Sequence, residues 1–167
     1  MRLSRIIMAG GMCAVMASGM AHAGDSVWDK ASAPSTEDQK PLDITVYYSQ
    51  TCGCCGSWMD HLKKHQFNVT RMPSSDMEAV KQQHGLPAGM GSCHTAVIDG
   101  YVIEGHVPAG DIRQLLKDRP SNIAGLSVPE MPVGTPGMEM GHRKDPFAVM
   151  AFDQQGKSSV YKQYKDY

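Results

Sequence analysis

Apolar and polar residues recur along this chain with periods that divide it into short elements. Residues 43–49 (Asp-Ile-Thr-Val-Tyr-Tyr-Ser) are rich in β-branched and aromatic side chains and predict a strand. From about Cys54 to His65 the period becomes helical. Cys55, Met59 and Leu62 form a core stripe and Cys54, Trp58, His61 and His65 a second one, on which His61 and His65 are read as a solvated or partly packed face. Residues 67–72 predict a second strand. Ser74 or Ser75 stands where a cap is needed for a helix over about 76–84, which Gly85 ends. Residues 95–98 and 101–104 flank Asp99-Gly100, a two-residue hairpin signal. Pro108 opens a last helix over about 109–117, stopped before Pro120.

The order β-α-β-α-β-β-α is that of a thioredoxin-like α/β fold, a central mixed sheet flanked by helices, with the first strand central and the third beside it. This core is expected over 43–120. Residues 121–167 form a C-terminal extension: 128–141 are rich in proline, glycine and methionine and predict irregular structure, and 147–153 with 158–164 predict a terminal hairpin. At the other end, Arg2 and Arg5 precede an uncharged apolar run and Ala21-His22-Ala23, the pattern of a signal peptide over 1–23 cleaved before Gly24. The apolar run is too short to span a bilayer, and Met12 before Cys13 is too bulky for a lipoprotein signal. The expected product is soluble and periplasmic, with 24–42, polar and bearing Pro34 and Pro41, as a flexible leader.

Charge narrows the function. Losing Arg2 and Arg5 takes the net charge from −1 to −3, without the basic footprint that nucleic acid requires. Four cysteines remain, Cys52, Cys54, Cys55 and Cys93, and three of them lie within four residues, too crowded to staple distant parts of a fold.

Cys52-Gly53-Cys54-Cys55 holds the Cys-x-x-Cys spacing of a dithiol at a helix start, where exposed N–H groups and the helix dipole favour thiolate. It resembles the thioredoxin signature Cys-Gly-Pro-Cys, with Cys54 in the place of proline. A third thiol adds nothing to a two-electron dithiol cycle, and three adjacent thiolates repel one another unless a cation sits among them. Copper(I) and zinc both suit such a cluster. In a thioredoxin-like fold the loop before the third strand packs against the dithiol, so Cys93 is expected to add a fourth sulfur and His94 a nitrogen. The plain alternative for Cys93 is a small buried hydrophobe. His106 is a further candidate, as ligand or as support to one.

Met131, Met138 and Met140 sit in segments too rich in proline and glycine for a regular core, and thioether suits copper(I) rather than zinc. Surface methionines on a loose tail are the alternative. Met59, Met72 and Met77 fall at core-like positions. His61 and His65 lie roughly 10 Å and more beyond Cys54 along the helix, too far to share its ion. His84 is a helix end, and His142 depends on the fold of the tail.

Thr51-Cys52-Gly53-Cys54-Cys55 with Trp58, then residues 92–97 (Ser-Cys-His-Thr-Ala-Val), then residues 100–108 (Gly-Tyr-Val-Ile-Glu-Gly-His-Val-Pro), resemble the CopG-type periplasmic copper-resistance family. This is not the plasmid repressor of the same name. The resemblance spans about 43–140. It implies a thioredoxin-like fold, periplasmic residence, and a multinuclear copper cluster bridged by cysteine sulfur. By position, Cys52, Cys54, Cys55 and Cys93 are its ligands, with His94, His106, Met131, Met138 and Met140 as further ones. The expectation is a copper(I)-binding protein of copper resistance, with Cu(I)/Cu(II) redox activity as a copper-linked oxidoreductase function. Its expected partners are copper ions and periplasmic copper carriers or exporters. A thioredoxin-type thiol–disulfide oxidoreductase is the alternative function, and zinc the alternative metal.

Overall fold

The computed structural model describes residues 26–28 and 40–167, so the segment read as a signal peptide and most of the leader lie outside the described residues. Ten elements follow in order: β1 (Leu42–Tyr48), α1 (Gly53–Lys64), β2 (Phe67–Pro73), α2 (Met77–Gln83), β3 (His94–Ile98), β4 (Tyr101–Glu104), α3 (Ala109–Asp118), β5 (Gly125–Ser127), β6 (Phe147–Phe152) and β7 (Ser158–Tyr164). The strands form one seven-stranded mixed sheet in the order β2-β1-β3-β4-β5-β6-β7. β1 pairs parallel with β2 and antiparallel with β3, and β4 pairs antiparallel with β3 and parallel with β5. At the Asp99-Gly100 turn both residues have positive φ (47° and 86°), as a two-residue turn between right-twisted strands requires.

Side-chain alternation assigns the helices to faces. Ala96 and Ile98 of β3, Ile44 and Val46 of β1 and Ile103 of β4 join one core cluster with α1 (Cys55, Trp58, Met59, Leu62) and α3 (Ile112, Leu115, Leu116). Thr95 points to the other face, where its hydroxyl meets Lys81 of α2 at 3.2 Å. Helix α2 therefore covers the face opposite α1 and α3. Its cap is Asp76, which accepts the Ala79 N–H at 2.9 Å, rather than Ser74 or Ser75. Ser74 instead accepts the Asp76 N–H at 3.1 Å in the turn before it.

Several expectations are corrected. On the second stripe of α1, His61 and His65 are buried rather than solvated, and Trp58 is buried beside them. That stripe faces α3, where His61 Nε2 accepts the Ala109 N–H at 3.1 Å, satisfying a first-turn donor that has no intrahelical partner. Trp58 Nε1 donates to the Val107 carbonyl at 2.9 Å. Met72 is exposed, because it lies on the edge strand β2, and Met77 is only half-buried, whereas Met59 is in the core.

The C-terminal residues extend the same sheet. β5 was not apparent in the pattern; β6 and β7 form an antiparallel hairpin that adds two more strands. Asp111, buried in the first turn of α3, accepts from Tyr164 Oη at 2.8 Å and Lys162 Nζ at 2.9 Å and so ties β7 to the core. Trp28 shows that the leader is not all free. Its ring packs edge-on against Phe147 and Tyr164, and its Nε1 donates to the Gly134 carbonyl at 2.8 Å. No helix among the described residues is long and apolar enough to cross a membrane.

Candidate metal centre

Register brings the cysteines together. Tyr48, the last residue of β1, pairs with His94, the first of β3, so the loop leaving β1 and the loop entering β3 meet at one end of the sheet. Antiparallel β4 returns to the same end and delivers His106 just past its last residue. Cys54 Sγ lies 3.6 Å from Cys52 Sγ and 3.6 Å from Cys93 Sγ. The ligand atoms of Cys52, Cys54, Cys55 and Cys93 all lie within 4.8 Å of one another, and so do those of Cys93, His94 and His106. Cys93 belongs to both groups.

The crowded cysteines do form one disulfide, between Cys52 and Cys55, whose Cα atoms are 5.6 Å apart. The bond is local, in keeping with cysteines too crowded to staple distant parts of the fold. A three-residue separation at a helix start is within disulfide reach, although it staples nothing remote. Cys54 and Cys93 remain thiols. Helix α1 begins here with Cys52 as N-cap, no side-chain cap and no acidic residue in its first turn. Its positive end is therefore turned to the sulfurs without a competing carboxylate.

Burial controls protonation. Desolvation, reinforced by neighbouring Cys54, pushes the Cys93 thiol up to about 12, so without a cation it stays protonated at neutral pH. His94 is held well below its ordinary value, first by complete burial and then by the nearby His106 and Lys81 charges. Burial likewise lowers His106. Both imidazoles are neutral at pH 7, the form that ligates metal.

The orientation of His106 is fixed. Its Nδ1 lies 2.8 Å from the Pro136 carbonyl, which can only accept, so the proton is on Nδ1. The Nε2 lone pair then faces Cys93 Sγ at 3.2 Å. His94 Nδ1 lies 3.1 Å from the same sulfur, and His94 Nε2 is buried without a protein hydrogen-bond partner. A carbonyl that sets a tautomer in this way is a familiar support for a metal-binding histidine.

The structure thus assembles six of the nine residues singled out in the sequence. Of the others, Met131 and Met140 are 51% and 63% exposed, and Met138 is half-buried. Their segment is nonetheless held to the site, by Pro136 on His106 and by Gly137. A Cβ at Gly137 would fall 2.5 Å from the backbone nitrogen of Trp58, and its φ is +81°. Pro136 carries no signal in sequence, because its contribution is a backbone oxygen. Glu104 does: a carboxylate ending the apolar run Tyr-Val-Ile is out of place in a strand unless it has buried partners.

A family model described as "Protein of unknown function, DUF411" matches residues 90–138. No curated protein matches the chain. Two solved structures do, both of a copper resistance protein copG. Form 2 is 47% identical, with a TM-score of 0.72, over 75% of this chain and 100% of that one. Form 1 is also 47% identical, with a TM-score of 0.71, over 76% and 100%. With identity of this level over the whole of the solved chain, the protein belongs to the family of the copper resistance protein CopG.

Proposed function

We propose that the chain binds copper(I) in a cysteine-bridged, multinuclear cluster and serves copper resistance. The observation that carries this reading is the convergence of four sulfurs and two neutral imidazoles at one helix start, with Cys93 common to two groups. An external dithiol that reduces the Cys52–Cys55 bond by two electrons and two protons, and is itself oxidised to a disulfide, leaves four thiols together with Cys54 and Cys93; cuprous ions then displace their protons. Bridging thiolates let few cysteines hold several ions and cancel the repulsion among them. His94 and His106 add nitrogen donors. Met131, Met138 and Met140, on a loop anchored beside the site, offer thioether to copper arriving from solvent. The dithiol also has redox use: as Cys52 and Cys55 join, two electrons pass to two cupric ions, making them cuprous, and the two thiol protons go to solvent.

The wider context belongs to the same proposal. Strand β1 between β2 and β3, in a β-α-β-α-β-β-α chain, supports a thioredoxin-like core over 43–120 with 121–167 as an extension that lengthens its sheet. A cleaved signal peptide over 1–23 would deliver the protein to the periplasm, where copper carriers or exporters are its partners.

One observation favours a second reading. A Cys-x-x-Cys disulfide at a helix start is what a thiol–disulfide oxidoreductase uses. Anaerobic titration of the reduced protein with cuprous ion, beside Cys54→Ser, separates the two. Copper binding predicts several cuprous ions per chain, a thiolate-to-copper absorption band, and a lower stoichiometry in Cys54→Ser. Disulfide-reductase activity independent of copper and intact in Cys54→Ser, with no bound copper, would support the second reading instead.

A further inference from the structure

Behind the sulfurs, on the α2 face of the sheet, lies a charged cluster with no part in the proposed ligand set. Glu104 is completely buried at the end of β4. One carboxylate oxygen accepts the Ser92 N–H at 2.6 Å and the Lys81 ammonium; the other accepts the Thr95 hydroxyl at 2.6 Å. Thr95 stands directly across from Glu104 in the β3–β4 register. Ser92 and Thr95 are the residues on either side of Cys93-His94. The carboxylate therefore grips both ends of the dipeptide that brings sulfur and nitrogen to the centre. Lys81, reaching in from α2, also donates to the Thr95 hydroxyl at 3.2 Å and closes the network.

A buried ion pair is a poor device for stability alone, since apolar side chains of equal volume commonly do as well. Its advantage is directional: every donor must be in place, which excludes alternative positions of the gripped segment. We infer that Glu104, held by Lys81, is a positioning residue for Cys93, setting the approach of its sulfur to Cys54 through hydrogen bonds to Ser92 and Thr95. The relevance to copper rests on the proposed function; the geometric claim does not.

The test uses thiol geometry without metal. A short bis-alkylating reagent added to the wild-type protein yields a Cys54–Cys93 bridge or two separate adducts, which peptide mapping distinguishes. With these sulfurs 3.6 Å apart, the bridge is expected to dominate. In Glu104→Gln the amide oxygen still accepts from Ser92 and Lys81, but the charge that holds Lys81 is lost, and the amide nitrogen meets the Thr95 hydroxyl, which must turn its own proton away from its only acceptor among the described residues. The ratio of bridged to separate adducts is expected to fall at least fivefold, measured well below the Tm. Thr95→Val, near-isosteric and lacking only the hydroxyl, is expected to lower it about twofold and keeps the test open should Glu104→Gln not fold. A purely structural role would lower Tm and leave the ratio at the wild-type value in each folded variant, and that result would overturn the proposal. Cuprous titration of the same samples reads separately: wild type that bridges yet binds no copper refutes the proposed function and leaves the clamp standing.

Discussion

At the residue scale the centre is governed by what burial does to Cys93. Its thiol sits beside Cys54, 3.6 Å away, and beside two neutral imidazoles. Because desolvation first and Cys54 second raise it to about 12, the metal-free folded state prefers the protonated thiol. Linkage fixes the sign: this preference contributes stability below the ordinary value of 9.0 and loses it as pH rises from 9.0 towards 12. Alkylation of the metal-free protein, followed by peptide mass against pH, should show Cys93 reacting slowly at pH 9.0, with its rate still rising towards pH 12. A Cys93 that alkylates at the rate of a free thiol at pH 9.0 would contradict this. The cluster Cys52, Cys54 and Cys55 was legible from residue type and spacing, whereas Cys93 and His94 were reached only through their expected place in the fold, and His106 only as a candidate. The His106 tautomer was not, since it depends on a carbonyl thirty residues away in sequence.

At the element scale, loops decide the site. Strand and helix order was readable because β-branched runs, the Asp99-Gly100 turn and Pro108 act locally. The burial of His61 and His65 was not, because it depends on α3 packing against α1, a contact no local pattern encodes. The proline- and glycine-rich segment looked loose for a similar reason: its order comes from Pro136 meeting His106 and Gly137 lying against the backbone of Ser57 and Trp58 in α1. Gly137→Ala places a methyl 2.5 Å from the backbone nitrogen of Trp58 and forces an alanine into positive φ. The expected outcome is a loss of about 1–3 kcal/mol in denaturant unfolding. A broadened His106 ring signal in NMR should accompany it as the Pro136 carbonyl withdraws. Full wild-type stability with an unchanged His106 signal would show that the loop is not seated as described.

At the scale of the whole molecule, one sheet runs from β2 to β7, and the C-terminal residues are part of its architecture rather than a tail. The aromatic group Trp28, Phe147, Tyr164 and Tyr167 closes that end, with Trp28 arriving from the far end of the chain. Phe147 and Tyr164 were recognisable as strand residues. Trp28, with only Val27 beside it in a polar stretch, belongs to no periodic element, so its partners became visible only once the chain had folded. Trp28→Ala should cost about 3 kcal/mol, the lower end for removing a buried aromatic, and lower the midpoint of chemical denaturation accordingly. An unchanged midpoint would mean that the leader does not pack on the hairpin.

X-ray absorption at the copper edge of the reduced, cuprous-loaded protein tests the central claim most directly. Copper(I) in a cysteine-bridged cluster predicts a first shell dominated by sulfur and a second shell of neighbouring copper, both diminished in Cys54→Ser. A first shell of nitrogen and oxygen without sulfur, or no copper retained at all, would contradict it.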